Sequence, residues 1–598
     1  MSDRSSPRSS NRFPSIARSI ATWLLMLVPI GLVLATVFTY ALNLPYWDDY
    51  LVQAQLLLLK AQPSGRQKLL HLFDQHWEHR IVWTRLLFAG WYKLTGSLNY
   101  YGLTLFGVSG LVVLFGLLAT VFRQTTKLPW VYLLPVPFWL FTLQSHENLL
   151  WAMASIQNFW VLVFALGSFY ALTNQMVAGR WLALALGVLA TYTSGNGALV
   201  LIAGGIVLVW QTLTNQDFRK GTKSLLQRWG FVIVWVVIAV ASIGGYFHQY
   251  HRITFFPSPF RYPFIDWIKA YFVFFGAFAD PFPYSGAGAY GYENLLLPTI
   301  LLGALLVSIA GYLIVTDMLK IGSPLHKSRR QTSNQPGIES SAGINHFFLA
   351  TLLFLLATAA ITVYSRVGFA GPGYLLQGRY KVYSALMLSV VYLYVLTRFG
   401  QSRQAAFRWT WAGVLVLSIG QNLFSDYLCL EGIINQHRRT TAAYFNYLVN
   451  TPSDQQRALS AVFVPTEPPF FSGQTRQLSA KSWFTVPATE KFDHFDTQRF
   501  MYWINKFNSV NPILNRPTDG TYIYMTSGQH TYLFPARPLR PTPTALNGFN
   551  GYFRPQGIRA QVLQEHLEPG QYRFGLLTNR GGHLRLAMTN QTVTFTSL

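Results

Sequence analysis

The stretch "ATWLLMLVPIGLVLATVFTYALNLPYWDDY", residues 21–50, runs from Ala21 to Leu44 without a charge and then meets two adjacent carboxylates, Asp48 and Asp49. A helix of about 20 apolar residues spans a hydrocarbon core roughly 30 Å thick, so the run is long enough to cross a membrane. It exceeds a signal-peptide core and has no small-residue cleavage site before "LPYWDD", and it is expected to stay as an anchor. Similar runs recur at 101–122, 128–143, 154–174, 181–194, 197–213, 229–247, 293–316, 346–364, 383–398 and 409–428. With the first, these predict about eleven spans and a mainly α, polytopic transmembrane bundle. The stretches 81–92 and 264–279 are read instead as helices lying at the interface, because counting one of them as a span would move later basic loops to the other side.

The chain of 598 residues is 51% hydrophobic and only 11% charged, with a formal net charge of +24. That charge does not point to nucleic acid, because the cations cluster in short segments between apolar runs, as cytoplasmic loops do. One cysteine, Cys429, excludes an intrachain disulfide. Arg4, Arg8, Arg12 and Arg18 face a single Asp3 in the tail 1–20, which places the N-terminus in the cytoplasm. Alternate threading then gathers the basic loops at 123–127, 177–180, 217–228, 319–330 and 398–408 on that side. The transmembrane region covers 21–430, with outer loops at 45–100, 248–292 and 365–382. From 431 to 598 the long apolar runs stop, which predicts an extracytoplasmic α+β or β-rich domain. Its segments "TYIYM", "YRFGLLT", "HLRLAM" and "TVTFTSL" look like short strands between turn residues, after a proline-rich stretch at 465–470.

Four of the 22 acidic residues, Asp48, Asp49, Asp74 and Glu78, fall in the first outer loop. Ionised groups at membrane level are costly and usually face a cavity or a partner. Capping of the helix "YLVQAQLLLLK" would use one aspartate, not both. If helical, the segment "HLFDQHWEHRIVWTRLL", residues 71–87, carries His76, Glu78, His79 and Arg80 in its first turns, either as a polar rim to a substrate pocket or as a plain interfacial salt-bridge network. Its histidine spacing is neither of the usual zinc arrangements, and a metal role stays open. In "LQSHENLLWAMASIQNFW", Glu147, Asn148 and Gln157 beside Trp151 combine hydrogen-bonding groups with an aromatic face, as sugar binding needs. Arg366, Arg379 and Lys381 lie on the outer side, against the positive-inside trend, and suit a bound phosphate; headgroup anchoring is the other reading.

The stretches "WDDY", "HWEHRI", "ENLLWAM" and "SRVGFAGPGYLLQGRY" resemble polytopic bacterial glycosyltransferases of the GT-C fold, over roughly residues 20–428. The resemblance implies a sugar donor on a polyprenyl phosphate, transfer with inversion outside the bacterial inner membrane, and a glycan, lipid or protein acceptor. On that resemblance Asp48 or Asp49 takes the catalytic acidic position, Asp74, His76, Glu78, His79, Arg80, Glu147, Asn148 and Gln157 bind substrate, and Arg366, Arg379 and Lys381 hold the donor phosphate. Some members use a divalent cation, Mg2+ or Mn2+, and others do not. A membrane transporter or flippase for lipid-linked glycan, or an inactive envelope scaffold, is the alternative.

Overall fold

The computed structural model describes residues 13–173, 176–214, 225–254, 256–284, 294–322, 338–399, 405–450, 462–463, 484–485, 490–496, 499–505, 517–539, 557–563 and 567–595. The tail before residue 13, most of the basic loops at 217–228 and 319–330, and the proline-rich stretch 465–470 lie outside them.

Among the described residues the protein is mostly helical, and nine helices are long and apolar enough to cross a membrane: Ser19–Tyr40, Tyr100–Thr125, Ala152–Thr173, Gly195–Leu213, Trp229–Phe247, Leu296–Leu319, Asn345–Leu376, Gly378–Phe399 and Ala405–Asn450. Two expected spans take another form. The stretch 128–143 breaks into the short turns Trp130–Leu133, Pro135–Leu140 and Leu143–Ser145, because Pro129, Pro135 and Pro137 remove backbone donors and clash with a preceding turn. Every residue from Leu133 to Ser145 is buried, the condition under which irregular backbone is tolerated at membrane depth. The other, expected at 181–194, is the 15-residue helix Val177–Thr191. The two stretches read as interfacial form Val82–Thr95 and Phe264–Gly276, of 14 and 13 residues, too short to span.

Ala152–Thr173 is the most enclosed of the nine and packs along Tyr100–Thr125. Gly107 permits that approach: a Cβ there would lie 2.0 Å from the Ser155 hydroxyl. Small residues bring helix backbones together where water supplies no driving force.

Contacts sort the helix ends into two sets. At one end, Asp49 on the helix Asp49–Ala61 accepts from the N–H of Met153 at the start of Ala152–Thr173 (2.9 Å). At the same end, Arg80 donates to the carbonyls of Tyr246 and His248, where Leu225–Phe247 finishes. At the other end, Arg398 pairs with Asp317 and donates to the Thr316 hydroxyl (2.8 Å), while Gln124 donates to the Tyr170 hydroxyl (2.6 Å). Alternate threading groups these ends in the same way.

The expected domain boundary at 430–431 falls inside one unbroken helix, Ala405–Asn450. Its last turns carry the C-terminal sheet, whose described strands are β1 (Phe484–Thr485), β2 (Glu490–Asp496), β3 (Arg499–Asn505), β4 (Gly520–Thr526), β5 (Thr531–Leu539), β6 (Gly557–Leu563), β7 (Gly570–Arg580) and β8 (His583–Phe595). Their order is β1-β8-β7-β4-β5-β6-β3-β2, antiparallel except for β1 against β8. The expected strands "TYIYM" and "YRFGLLT" belong to β4 and β7, and "HLRLAM" and "TVTFTSL" join in the single strand β8.

The first half of β5 lacks a β6 partner and is met instead by side-chain amides of the helix. Asn446 exchanges two hydrogen bonds with Leu533 (3.0 and 2.6 Å), and Asn450 does the same with Thr531 (2.7 and 3.0 Å). Residues four apart share a helix face, so the two amides stand one above the other and continue the ladder.

Candidate functional site

Two tight turns build the polar end. In the first, the N–H of Asp49 donates to the carbonyl of Tyr46 (3.0 Å), and Asp49 Oδ2 accepts from the N–H of Tyr46 (3.0 Å). In the second, His76 and His79 exchange backbone hydrogen bonds of 2.7 and 2.8 Å, so 71–87 is not one continuous helix. A helix covers Gly65–Leu72, the chain turns at 76–79, and helix resumes at Val82. Each turn has a tryptophan at its first central position with positive φ, 45° at Trp47 and 49° at Trp77. An acid follows each tryptophan, Asp48 in one turn and Glu78 in the other.

The adjacent aspartates have separate environments. Asp49 is buried and accepts from two backbone N–H groups, tying the first turn to Met153. Burial pushes its carboxyl up to about 8, against the pull of those hydrogen bonds. Asp48 is half-buried and accepts from the Trp77 indole N–H at 3.1 Å. It makes no side-chain cap to the helix Asp49–Ala61, so capping does not account for it. Burial raises its pKa, opposed by the Trp77 hydrogen bond and the positive charge of Arg379.

Glu78 and Arg366 form an ion pair, with Nη1 to Oε2 at 3.0 Å, and Arg366 Nε donates to the Tyr380 hydroxyl at 3.0 Å. Arg379 donates its backbone N–H to Glu147 Oε2 (3.3 Å) and its guanidinium to the Tyr374 hydroxyl (3.3 Å); its buried Nε has no hydrogen-bond partner among the described residues. Asn148 donates to the Arg379 carbonyl (3.1 Å) and accepts from Asn158 (2.8 Å). His79 lies 3.4 Å from Glu78 through Nε2, and its Nδ1 packs where a Cβ on Gly195 would meet it at 2.7 Å. Burial, with Arg379 nearby, pushes His79 down to about 4, which leaves it neutral at pH 7. Gln157 donates to the Ser194 hydroxyl (3.2 Å) on the same side of the bundle.

Other candidates serve the framework. Arg80 is spent on the carbonyls of Phe73, Tyr246 and His248. Burial holds His76 down at about 3, and its ring Nε2 has no hydrogen-bond partner among the described residues. Asp74 is exposed and pairs with His71 at 2.5 Å. Lys381, 1% exposed, pairs with the fully buried Asp280 at 3.1 Å and also donates to the carbonyls of Asp280 and Phe282. Lys381 is sealed in by that pairing, whereas Arg366, although paired with Glu78, keeps 15% of its side chain exposed, and Arg379 is partly exposed as well. Among the described residues no group of three or more histidine, cysteine or acidic side chains is arranged to hold a metal.

The sequence reading passed over Trp47, Trp77 and Tyr380. The two tryptophans carried a usable signal, since "WD" and "WE" repeat the same aromatic–acid pair in one loop region. Comparison with family models, with curated proteins and with solved structures gives no match.

Proposed function

We propose that the chain is a multi-pass membrane glycosyltransferase that moves a sugar from a polyprenyl-phosphate donor to an acceptor on the extracytoplasmic side. The observation that supports it is the meeting of Asp48, the Glu78–Arg366 pair and the Arg379–Glu147 contact at one end of the helices, from segments up to about 330 residues apart. In this reading Asp48 takes the proton of an acceptor hydroxyl as its oxygen attacks the anomeric carbon. The bond from that carbon to the phosphate oxygen breaks, and the electron pair leaves with the phosphate. A single displacement of this kind inverts the anomeric centre. Arg366 and Arg379 stabilise the charge that grows on the departing phosphate, so no second carboxylate is needed to protonate it.

Ion pairs favour this over a transporter. Transporters place ionisable groups near the middle of their spans. Here Lys381–Asp280 and Arg398–Asp317 sit near helix ends. The test is transfer of labelled sugar from a polyprenyl-phosphate donor by the purified chain in lipid nanodiscs, with Asp48→Asn beside it. Activity in the parent and a loss of at least 100-fold in a folded Asp48→Asn variant is expected. Undiminished transfer by that variant overturns the catalytic assignment.

A further inference from the structure

The two turns that bracket Asp48 share an expensive feature. Trp47 and Trp77 account for two of three non-glycine positions with positive φ among the described residues. That conformation costs of order 1–3 kcal/mol for a residue with a side chain, and glycine would adopt it freely. Burial of the indoles offsets it only in part, because about half of each residue stays exposed: Trp47 51% and Trp77 41%.

Both rings are held in place. Trp47 stacks on Tyr46 with centroids 5.4 Å apart and planes within 6°, and Trp151 stands edge-on to it at 5.7 Å. Trp77 is fixed through its indole N–H to Asp48. The result is two strained, anchored and partly exposed aromatic rings with a half-buried carboxylate between them in the chain and in hydrogen-bond contact with one: Asp48 follows Trp47 and accepts from Trp77. It is Asp48 Oδ1 that accepts from Trp77.

The combination selects a ligand chemistry. A pyranose ring offers C–H groups on its faces, which stack on indole, and hydroxyls around its edge, which donate to a carboxylate. A lipid chain would use the rings and leave the carboxylate unmatched, and a peptide amide has no apolar face of that size. Resting on the glycosyltransferase reading, we propose that Trp47, Asp48 and Trp77 form an acceptor subsite that seats one sugar ring, so that the acceptor is a carbohydrate. The hydroxyl donating to Asp48 is then the one that attacks the donor, and the two indoles set which hydroxyl it is.

The experiment uses the full chain in nanodiscs on a glycan array, with Trp47→Ala, Trp77→Ala, Trp77→Gly and Asp48→Asn, alongside the transfer assay. Parent protein is expected to bind one class of oligosaccharide. Each tryptophan variant should weaken that binding at least tenfold, while Trp77→Gly, which suits the turn, keeps or raises the melting temperature. Asp48→Asn should lose transfer and weaken glycan binding as well, because the sugar hydroxyl loses its carboxylate acceptor. Binding of no glycan by the parent, or equal binding by Trp47→Ala and Trp77→Ala, overturns the subsite. Transfer to a protein or lipid acceptor without glycan binding overturns it too and leaves the glycosyltransferase reading standing. Glycan binding lost in the tryptophan variants, with no transfer by the parent from any polyprenyl-phosphate sugar, upholds the subsite and removes the reading beneath it.

Discussion

Glu78 and Arg366, 288 residues apart in the chain, form an ion pair that ties the turn at 76–79 to the end of the helix Ile338–Ala370. Both side chains are partly shielded, at 17% and 15% exposure, so removing one leaves the other short of a partner in a poor solvent. Glu78→Gln is expected to lower stability by about 1–3 kcal/mol and to cut transfer tenfold or more, because Arg366 loses its placement. A double-mutant cycle with Arg366→Gln in detergent should give a coupling of about 1 kcal/mol or more. A coupling near zero would mean that the pair does not position the arginine.

The adjacent aspartates should respond in opposite ways. Asp48→Asn is expected to abolish transfer while the melting temperature stays within about 2 °C of the parent. Asp49→Asn turns an amide donor toward the N–H of Tyr46 or Met153, both held by the carboxylate in the parent. An unsatisfied buried group costs about 1–3 kcal/mol, which thermal unfolding will read.

Asp49 also predicts a pH dependence. Its folded pKa of about 8 lies above the ordinary carboxyl value, so the folded state holds a proton that the unfolded chain has released. Its contribution to stability is therefore full below the unfolded value and is lost as pH rises toward 8. His76, His79 and His146 have the opposite sign, because burial lowers them to about 3, 4 and 4, and their contribution is lost only as pH falls below the ordinary histidine value. Between pH 6.5 and 8 the Asp49 effect remains among these groups. The parent should melt at a lower temperature at pH 8 than at pH 6.5, and Asp49→Asn should reduce that difference.

The amide ladder at β5 gives a separate test. Asn446→Ala removes both partners of the Leu533 backbone and is expected to cost about 1–2 kcal/mol. Limited proteolysis should then degrade the C-terminal sheet faster than in the parent, and Asn450→Ala should add to the effect. An unchanged cleavage rate in the double variant would show that apolar packing alone seats the sheet.

Lys381 and Asp280 form the most enclosed of the described ion pairs. Lys381→Met strands a buried carboxylate and should destabilise by about 3–5 kcal/mol, whereas Lys381→Met with Asp280→Asn should recover most of the loss. Full transfer activity in that double variant would fit a framework role for the lysine.

Long apolar runs made the helical bundle legible before any coordinates, since the need to satisfy backbone groups in hydrocarbon leaves helices as the economical answer for segments such as Tyr100–Thr125. The same patterning did not foresee the broken form of 128–143 or the short helix at 181–194. Hydropathy counts apolar side chains and does not register that Pro135 and Pro137 break the ladder, or where an apolar helix stops after 15 residues. The histidine-rich turn is hard to read from sequence because its polar groups recur at helical spacing, and a residue with positive φ leaves no mark when it is tryptophan and not glycine.

Composition and order alone determined that this chain is rich in membrane-length helices, that a β-rich unit follows them, and that acids and cations crowd particular loops. Burial and partnership were decided only by the tertiary structure: Asp49 is enclosed by backbone donors, Asp48 is left half-open against the Trp77 indole, Lys381 is held by Asp280, and Arg366 is joined to Glu78. The physical reason is that a side chain's ionisation and reach depend on neighbours brought close by packing, often from more than 100 residues away, and no local pattern encodes which neighbours those are.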